Sequence, residues 1–343
     1  MGLIGPHDAP PFTALAGGVS SDIYRVDLAT GPVCVKRALP QLKVSAVWEA
    51  PVERNRWEVA WMRTAAAIVP QFVPRVLADD AESRAFAMEF LAPEGHPVWK
   101  AQLRDGVIEV STAAEVARRI VAVHRATAGD AEVARRFATD AIFHSIRLEP
   151  YLLATARRHP DRAAALEGLA EVTAANRRAL VHGDVSPKNI LVAHRGRTPN
   201  QAEAKTGVRP HEGRGGGGGP ILLDAECAWY GDPAFDLAFC LNHMLLKCLW
   251  RPQWRDAYLD CFDALATNYL AGVDWEGTEA IEARAARLLP GLFLGRVDGK
   301  SPAEYLTGER DKDRVRRVAR ALLLVPAQKL GAVRDFWRRE LAA

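Results

Sequence analysis

A disulfide framework, a membrane-length apolar run and a surplus of either charge are all missing from this chain. Its five cysteines, Cys34, Cys227, Cys240, Cys248 and Cys261, form no C-x-x-C pair, and their odd number speaks against a complete disulfide set. A reducing cytoplasm is therefore the expected compartment. With 45 basic against 42 acidic residues the net charge is only +3, too small for an electrostatic footprint on nucleic acid or a membrane surface. No segment approaches the apolar length of a membrane-spanning helix, and the N-terminus lacks a basic-then-apolar leader. No internal repeat is visible. Neither Gly17-Gly18 nor the glycine run at 215–219 is followed by G-K-[ST], so no Walker loop is present, and the segment 15–26 lacks the full G-x-G-x-x-G spacing.

What is present centres on Leu180-Val181-His182-Gly183-Asp184-Val185-Ser186-Pro187-Lys188-Asn189-Ile190-Leu191-Val192 and on Ile221-Leu222-Leu223-Asp224-Ala225-Glu226. An Asp, an Asn five positions later and a second Asp ending a nearby strand are the spacing used for phosphoryl transfer. In that chemistry the γ-phosphoryl group moves with little covalent help, so the protein must place the acceptor hydroxyl and neutralise the triphosphate. Asp184 is the candidate base. Asn189 offers a neutral oxygen, while Asp224 and Glu226 offer anionic ones, all suited to Mg²⁺. Apolar runs at 179–181, 190–192 and 220–223 predict short strands that leave these polar groups at strand ends. The competing possibility, a satisfied His182–Asp184 turn with Asp224 as a cap, does not explain three matches in order.

Upstream, Val33-Cys34-Val35-Lys36 predicts a strand ending on a cation, and Arg54 to Met62 predicts a helix carrying Glu58. Lys36 is the candidate phosphate ligand and Glu58 its partner. The glycine-containing segment 15–26 predicts a hairpin whose backbone can approach phosphate closely, which makes Gly17, Gly18, Ser20 and Ser21 candidate ATP contacts beside the alternative of an ordinary turn. Arg84 to Leu91 predicts a strand running towards Pro93, and Met88, Glu89, Phe90 and Leu91 are candidates for the adenine cleft. From Ser111 to His124 the apolar spacing is helical, and His124 is expected to be a packing residue. Helices are also expected over 235–271 and 276–294.

With these motifs in place, His182-Gly183-Asp184, carrying Gly where protein kinases carry Arg, resembles the aminoglycoside phosphotransferase and choline kinase group of small-molecule kinases. The stretch Ala228-Trp229-Tyr230-Gly231-Asp232-Pro233-Ala234-Phe235-Asp236-Leu237-Ala238 is similar to that group's pattern, in which the later Asp braces the catalytic loop, so Asp236 is given a structural role. Val35 to Val44, Val73-Pro74-Arg75-Val76, Met88 to Leu91, Trp99-Lys100 and Asp224-Ala225-Glu226 resemble the 5-methylthioribose kinase branch. The resemblance implies an α+β, bilobal protein-kinase-like fold: a small mixed N-lobe with an antiparallel sheet, over 1–92, and a larger, mainly helical C-lobe, over 93–343. It implies ATP and Mg²⁺ as cofactors and a small-molecule hydroxyl as acceptor, on 5-methylthioribose or a related deoxy sugar. An aminoglycoside-type resistance enzyme and a nucleotide-binding pseudokinase module stay open as alternatives, as does a homodimer.

Candidates for the acceptor pocket are less well marked. Leu294 to Pro302 gathers charge with Gly and Pro, which predicts a loop between helices and makes Arg296 and Asp298 candidate ligands of sugar hydroxyls. Trp229 and Tyr230, next to the metal strand, are candidate pocket walls, with core packing as the alternative. Residues 194–219, polar and ending in a glycine run, are expected to be a disordered insertion without function.

Overall fold

The computed structural model describes residues 2–5, 7–15, 20–40, 51–193 and 218–343. Gly17, Gly18 and nearly all of the 194–219 insertion lie outside the described residues. The chain forms two units, one of Met1–Trp99 with Lys188–Glu226 and one of Lys100–Pro187 with Cys227–Ala343.

In the first unit, β1 (Phe12–Ala14), β2 (Ser21–Leu28), β3 (Gly31–Ala38), β4 (Val76–Asp80) and β5 (Ala85–Glu89) make an antiparallel sheet of order β1-β2-β3-β5-β4. Ile23, Val26, Val33 and Val35 supply the β-branched residues that a pleated, half-buried surface favours. Helix α1 (Arg54–Ile68) packs on β3, β4 and β5. Its buried face changes character along its length: Arg54, Asn55 and Glu58 come first, then Val59, Trp61, Met62 and Ala65. The apolar end anchors the helix on the sheet, and the polar end is thereby held at fixed height beside β3. Asn55 Nδ2 donates to the carbonyl of Arg84 (2.7 Å), the left-handed residue (φ +55°) that closes the β4–β5 turn.

Four short strands follow along the chain: β6 (Ala179–Val181), β7 (Ile190–Val192), β8 (Pro220–Leu222) and β9 (Trp229–Gly231). β7 pairs with β8 in the first unit and β6 with β9 in the second, both antiparallel. The strand expectations at 179–181, 190–192 and 220–223 are met to within a residue.

The second unit is helical: α2 (Trp99–Arg104), which starts at the unit boundary, α3 (Val110–Thr127), α4 (Ala131–Arg136), α5 (Asp140–Phe143), α6 (Ala154–Arg158), α7 (Ala163–Ala175), α8 (Ala234–Trp250), α9 (Arg255–Leu270), α10 (Thr278–Asp298), α11 (Glu309–Leu324) and α12 (Leu330–Ala342). α8 is buried on every side from Ala234 to Leu249, its polar residues Asp236, Asn242, His243 and Lys247 included. It lies against α9 and α10, with α3 on α9 and α11 on α10. Two expectations are corrected here. The single helix expected over 235–271 is broken at Arg251–Trp254, where Pro252 cannot continue the hydrogen-bonding ladder. The loop expected at Leu294–Pro302 is helix as far as Asp298, so Arg296 and Asp298 stand on the last turn of α10. Between α5 and α6 the helix widens to π-type hydrogen bonding over His144–Leu153.

Phe86 lies opposite Lys36 in the β3–β5 register and is fully buried. Phe86→Ala is expected to lower the unfolding free energy by about 3–5 kcal/mol, because the emptied volume beside Lys36 cannot close completely. Urea denaturation measures this.

Candidate active site

Among the described residues Lys36 is one of two buried lysines, with 2 % of its surface exposed. Its place on β3 aims it at α1, where Glu58 receives Nζ on both carboxylate oxygens (2.8 and 2.7 Å). A second carboxylate, Asp224, accepts from the same ammonium at 2.5 Å. Burial alone would discharge the lysine; Asp224, then Glu58 and Glu226, outweigh it and hold its pKa above the ordinary range. Burial, opposed by the Lys36 charge, pushes the Glu58 carboxyl up to about 7. One cation thus serves two acids, Glu58 buried and Asp224 partly exposed, and the geometry keeps it protonated.

Asp224 follows β8 with φ +69°, a left-handed conformation unusual for a residue with a Cβ. Leu223, just before it, donates its backbone N–H to the Asn189 carbonyl (2.8 Å), so the β7–β8 pairing fixes the separation of the two metal candidates. Glu226 is held by Arg54, whose Nε donates to Oε2 at 2.9 Å. The same guanidinium donates to the carbonyls of Ser20 (2.5 Å), Leu39 (2.6 Å) and Pro51 (2.9 Å) and is completely buried. Arg54 therefore ties the start of β2, the end of β3 and the acidic motif to one point. Sequence reasoning missed it. A cation at a helix N-terminus, opposed to the helix dipole and without an acidic neighbour in the first turn, was the available signal.

In the second unit β6 leads straight into His182-Gly183-Asp184. Asp236, near the start of α8, accepts from the backbone N–H of His182 (2.7 Å) and of Gly183 (2.8 Å). His124 Nε2 also bonds to Asp236 (3.1 Å), and its Nδ1 lies 2.7 Å from the Tyr269 hydroxyl, which donates to the Pro233 carbonyl (3.3 Å). His124 is thus a packing residue on α3 with a further use, as a brace for the brace. Gly183 has φ +81°, and a Cβ there would sit 2.8 Å from that of Cys227, so the position admits glycine alone. Asp184 pairs with Arg147 Nη2 at 2.9 Å, and Arg147 Nε donates to the Gly183 carbonyl. Arg147 stands in the π-type segment, and nothing in Ser145-Ile146-Arg147-Leu148 distinguishes it from a surface arginine.

The remaining candidates fall out as follows. Ser20 and Ser21 are buried at the entrance to β2. Met88 and Glu89 end β5, Met88 pairing in register with Cys34, and Phe90 lies under the Arg25 guanidinium at 5.0 Å. Leu91 follows outside any regular element. Trp229 and Tyr230 are core residues of β9: the Trp229 ring stacks on Phe143 (4.3 Å) and its Nε1 donates to Asp140, while the Tyr230 hydroxyl donates to the Arg178 carbonyl. Asp298 is buried and held by Arg316 through both oxygens (2.8 and 2.9 Å) and by His159 (2.9 Å), so its position on α10 is that of an ion-pair anchor. Arg296 donates to the Ser301 carbonyl and hydroxyl (2.5 and 3.0 Å).

An antiparallel sheet with a buried Lys–Glu pair, and a helical unit bearing an Asp on a glycine-turned loop, define the kinase-like class of phosphotransferases. The model of the phosphotransferase enzyme family, APH, matches residues 11–199, and the chain belongs to that family; it is an ATP-dependent small-molecule kinase. No curated protein matches it. Among solved structures it is similar to an ethanolamine kinase of Plasmodium vivax, at 11% identity and a TM-score of 0.51 over 99% of this chain and 83% of that one. It is also similar to a choline/ethanolamine kinase family protein from Mesorhizobium loti (16% identity, TM-score 0.47, 99% and 92% covered). An aminoglycoside phosphotransferase from Alicyclobacillus acidocaldarius gives 16% identity and a TM-score of 0.44, with 96% and 92% covered. Identities this low speak to the fold alone.

Asp236→Asn tests the brace. An amide presents an NH₂ to one of the two backbone N–H groups that a carboxylate satisfies together. The substitution is expected to remove about 1.5–3 kcal/mol of stability and to depress turnover with unchanged nucleotide affinity. Chemical denaturation, ADP titration and ADP-release rates measured on one preparation check all three.

Proposed function

We propose that the chain uses Mg²⁺ and ATP to phosphorylate a hydroxyl of a small sugar-like molecule, 5-methylthioribose or a related deoxy sugar. The observation that carries the reading is Lys36, buried and protonated between Glu58 and Asp224 in a chain that also supplies Asp184 on a braced loop. In this reading Lys36 answers the α- and β-phosphates, with Glu58 fixing its position. Asp184 takes the proton of the acceptor hydroxyl; that oxygen bonds to the γ-phosphorus as the β–γ bridging bond breaks, and ADP leaves. Arg147, bidentate between Asp184 and the Gly183 carbonyl, keeps the carboxylate oriented.

Among the described residues no three His, Cys, Asp or Glu side chains form a metal site by themselves. That suits an ion that keeps several waters and takes its other oxygens from a nucleotide. Asp224 and Asn189 would hold Mg²⁺, joined by Glu226, whose charge Arg54 already balances. Bound Mg²⁺ supplies neutralisation of the phosphate oxygens. The sugar-like acceptor is supported by the Asp224-Ala225-Glu226 motif and its likeness to the methylthioribose kinase branch.

The test is Mg²⁺-dependent ADP release across methylthioribose, other deoxy pentoses, choline and several aminoglycosides. Asp184→Asn is expected to lower turnover about 10²- to 10⁴-fold with ATP binding retained. Turnover with aminoglycosides alone would replace the sugar reading by a resistance enzyme, and tight ATP binding without any turnover would replace it by a nucleotide-binding module.

A further inference from the structure

The second unit holds a cluster of cations that nothing in the reaction uses. Lys247 on α8 is fully buried, with 1 % of its surface exposed. Its ammonium lies 5.3 Å from the ring centres of both Trp250 and Tyr305, which stack on each other at 4.4 Å. Lys100 lies over the same Tyr305 ring at 5.8 Å, and Arg251 over Trp250 at 5.2 Å. Arg296 on α10 acts electrostatically on both Lys247 and Tyr305. Among the described residues that act on Lys247, Glu304 is the one carboxylate, and it is mostly exposed and already paired with Lys100. Two donors here are buried without any hydrogen-bond partner among the described residues: Arg296 Nε, on a side chain more than nine-tenths buried, and the Tyr305 hydroxyl. Buried donors are ordinarily satisfied, and like charges gathered out of water are costly unless something of opposite sign completes them.

We propose that Lys247, Arg296 and Tyr305 form a binding site for an oxyanion, a carboxylate or a phosphate, carried by the acceptor molecule. The step from oxyanion to acceptor rests on the kinase reading above and narrows its sugar-like acceptor to an acidic one, in place of the neutral 5-methylthioribose. Asp236, which braces the catalytic loop, and Lys247 are on one helix, eleven residues and roughly 16 Å of axial rise apart. Between them the Tyr151 ring links the two ends: the Arg147 guanidinium that holds Asp184 lies 5.9 Å from it, and so does that of Arg296. An acceptor reaching from the Asp184 carboxylate to Arg296 is thus of sugar-acid or sugar-phosphate size. The ring faces that would attract a quaternary ammonium are already occupied by the protein's own cations, so a choline-like acceptor is refused.

The charge on Lys247 supplies a signature. Burial, then the repulsion of Lys100, pulls its pKa down to about 7; Arg296 adds to this, Glu304 and Cys240 oppose it, and the Tyr305 phenol, raised by burial, stays neutral. A lysine with a lowered pKa is cationic below that value and neutral above it, so oxyanion affinity is expected to fall as pH rises through 7. Sulfate, which does not titrate in this range, and acetate are the probes, followed by calorimetry on the full chain between pH 6 and pH 8.5. The wild-type protein is expected to bind one of them about ten-fold more tightly at pH 6, sulfate indicating a phosphate-type and acetate a carboxylate-type ligand. Lys247→Met is expected to abolish both the affinity and its pH dependence while ADP affinity is kept, and Tyr305→Phe, which spares the ring stack, to weaken binding several-fold. Failure of the folded wild-type protein to bind either ion, indifference of binding to Lys247→Met, or binding of choline at this site overturns the proposal. Because these readouts need no turnover, they stand apart from the kinase assay. In that assay sugar acids and sugar phosphates are expected to outperform their neutral parents in KM, and equal KM values would detach the site from the acceptor.

Discussion

Everything in the first unit is arranged around one ammonium group. A lysine removed from water must be paired or lose its proton, and Lys36 is paired twice over, by Glu58 from α1 and by Asp224 from the end of β8. Each partner arrives on a different element: the sheet fixes the lysine, the helix fixes one acid, and the β7–β8 pairing fixes the other. The pairing is therefore a constraint on the fold as well as a feature of the site. Without it α1 would bring a bare carboxylate into the interior, and the left-handed backbone at Asp224 would have nothing to hold its side chain inward. The strain at that residue lies at a proposed metal ligand, a common location for backbone conformations that the surrounding structure must enforce.

Local signals made much of this legible. Alternating and β-branched residues gave away β3, and the motif spacing gave away the loop from His182 to Asn189, because both are properties of neighbours in sequence. Lys36 and Glu58 were pairable in advance only because a strand followed by a helix brings such residues together in a known order. Arg147 was not legible, and Arg54 only through its place at a helix N-terminus, because what makes them distinctive is the partner: Asp184 and the Gly183 carbonyl for the first, Glu226, Ser20 and Leu39 for the second. A guanidinium offers five donors to whatever surrounds it, and its neighbours in sequence carry no record of that environment.

Two of the expectations that the structure answers differently share a physical origin. Glycine and proline near Arg296 suggested a loop, but Gly295 is in the helix because α10 crosses the π-type segment so closely that a Cβ there would strike the Tyr151 carbonyl. Glycine marks close approach as often as it marks a turn, and only the packing partner decides which. Trp229 and Tyr230 suggested a pocket because they stand beside the acidic motif in sequence. As neighbours on a strand they point to opposite faces, and β9 is covered on both, so each ring enters a different part of the same core.

The polar groups of the second unit divide according to whether their needs are met. Asp236 has two backbone amides and an imidazole, Asp298 an arginine and a histidine, and Asp232 is held by Arg284, which also grips Glu276; each is a closed network. Closed networks of that kind hold helices and loops in place and have nothing left to offer a ligand. The cluster of Lys247, Arg296 and Tyr305 is open: it has surplus donors, surplus positive charge and rings whose faces are already taken. Selection of an acceptor falls to groups that do not touch ATP. An unbalanced cation cluster on the same helix as the loop's brace fits that requirement, since its charge can select the acceptor without disturbing Asp184.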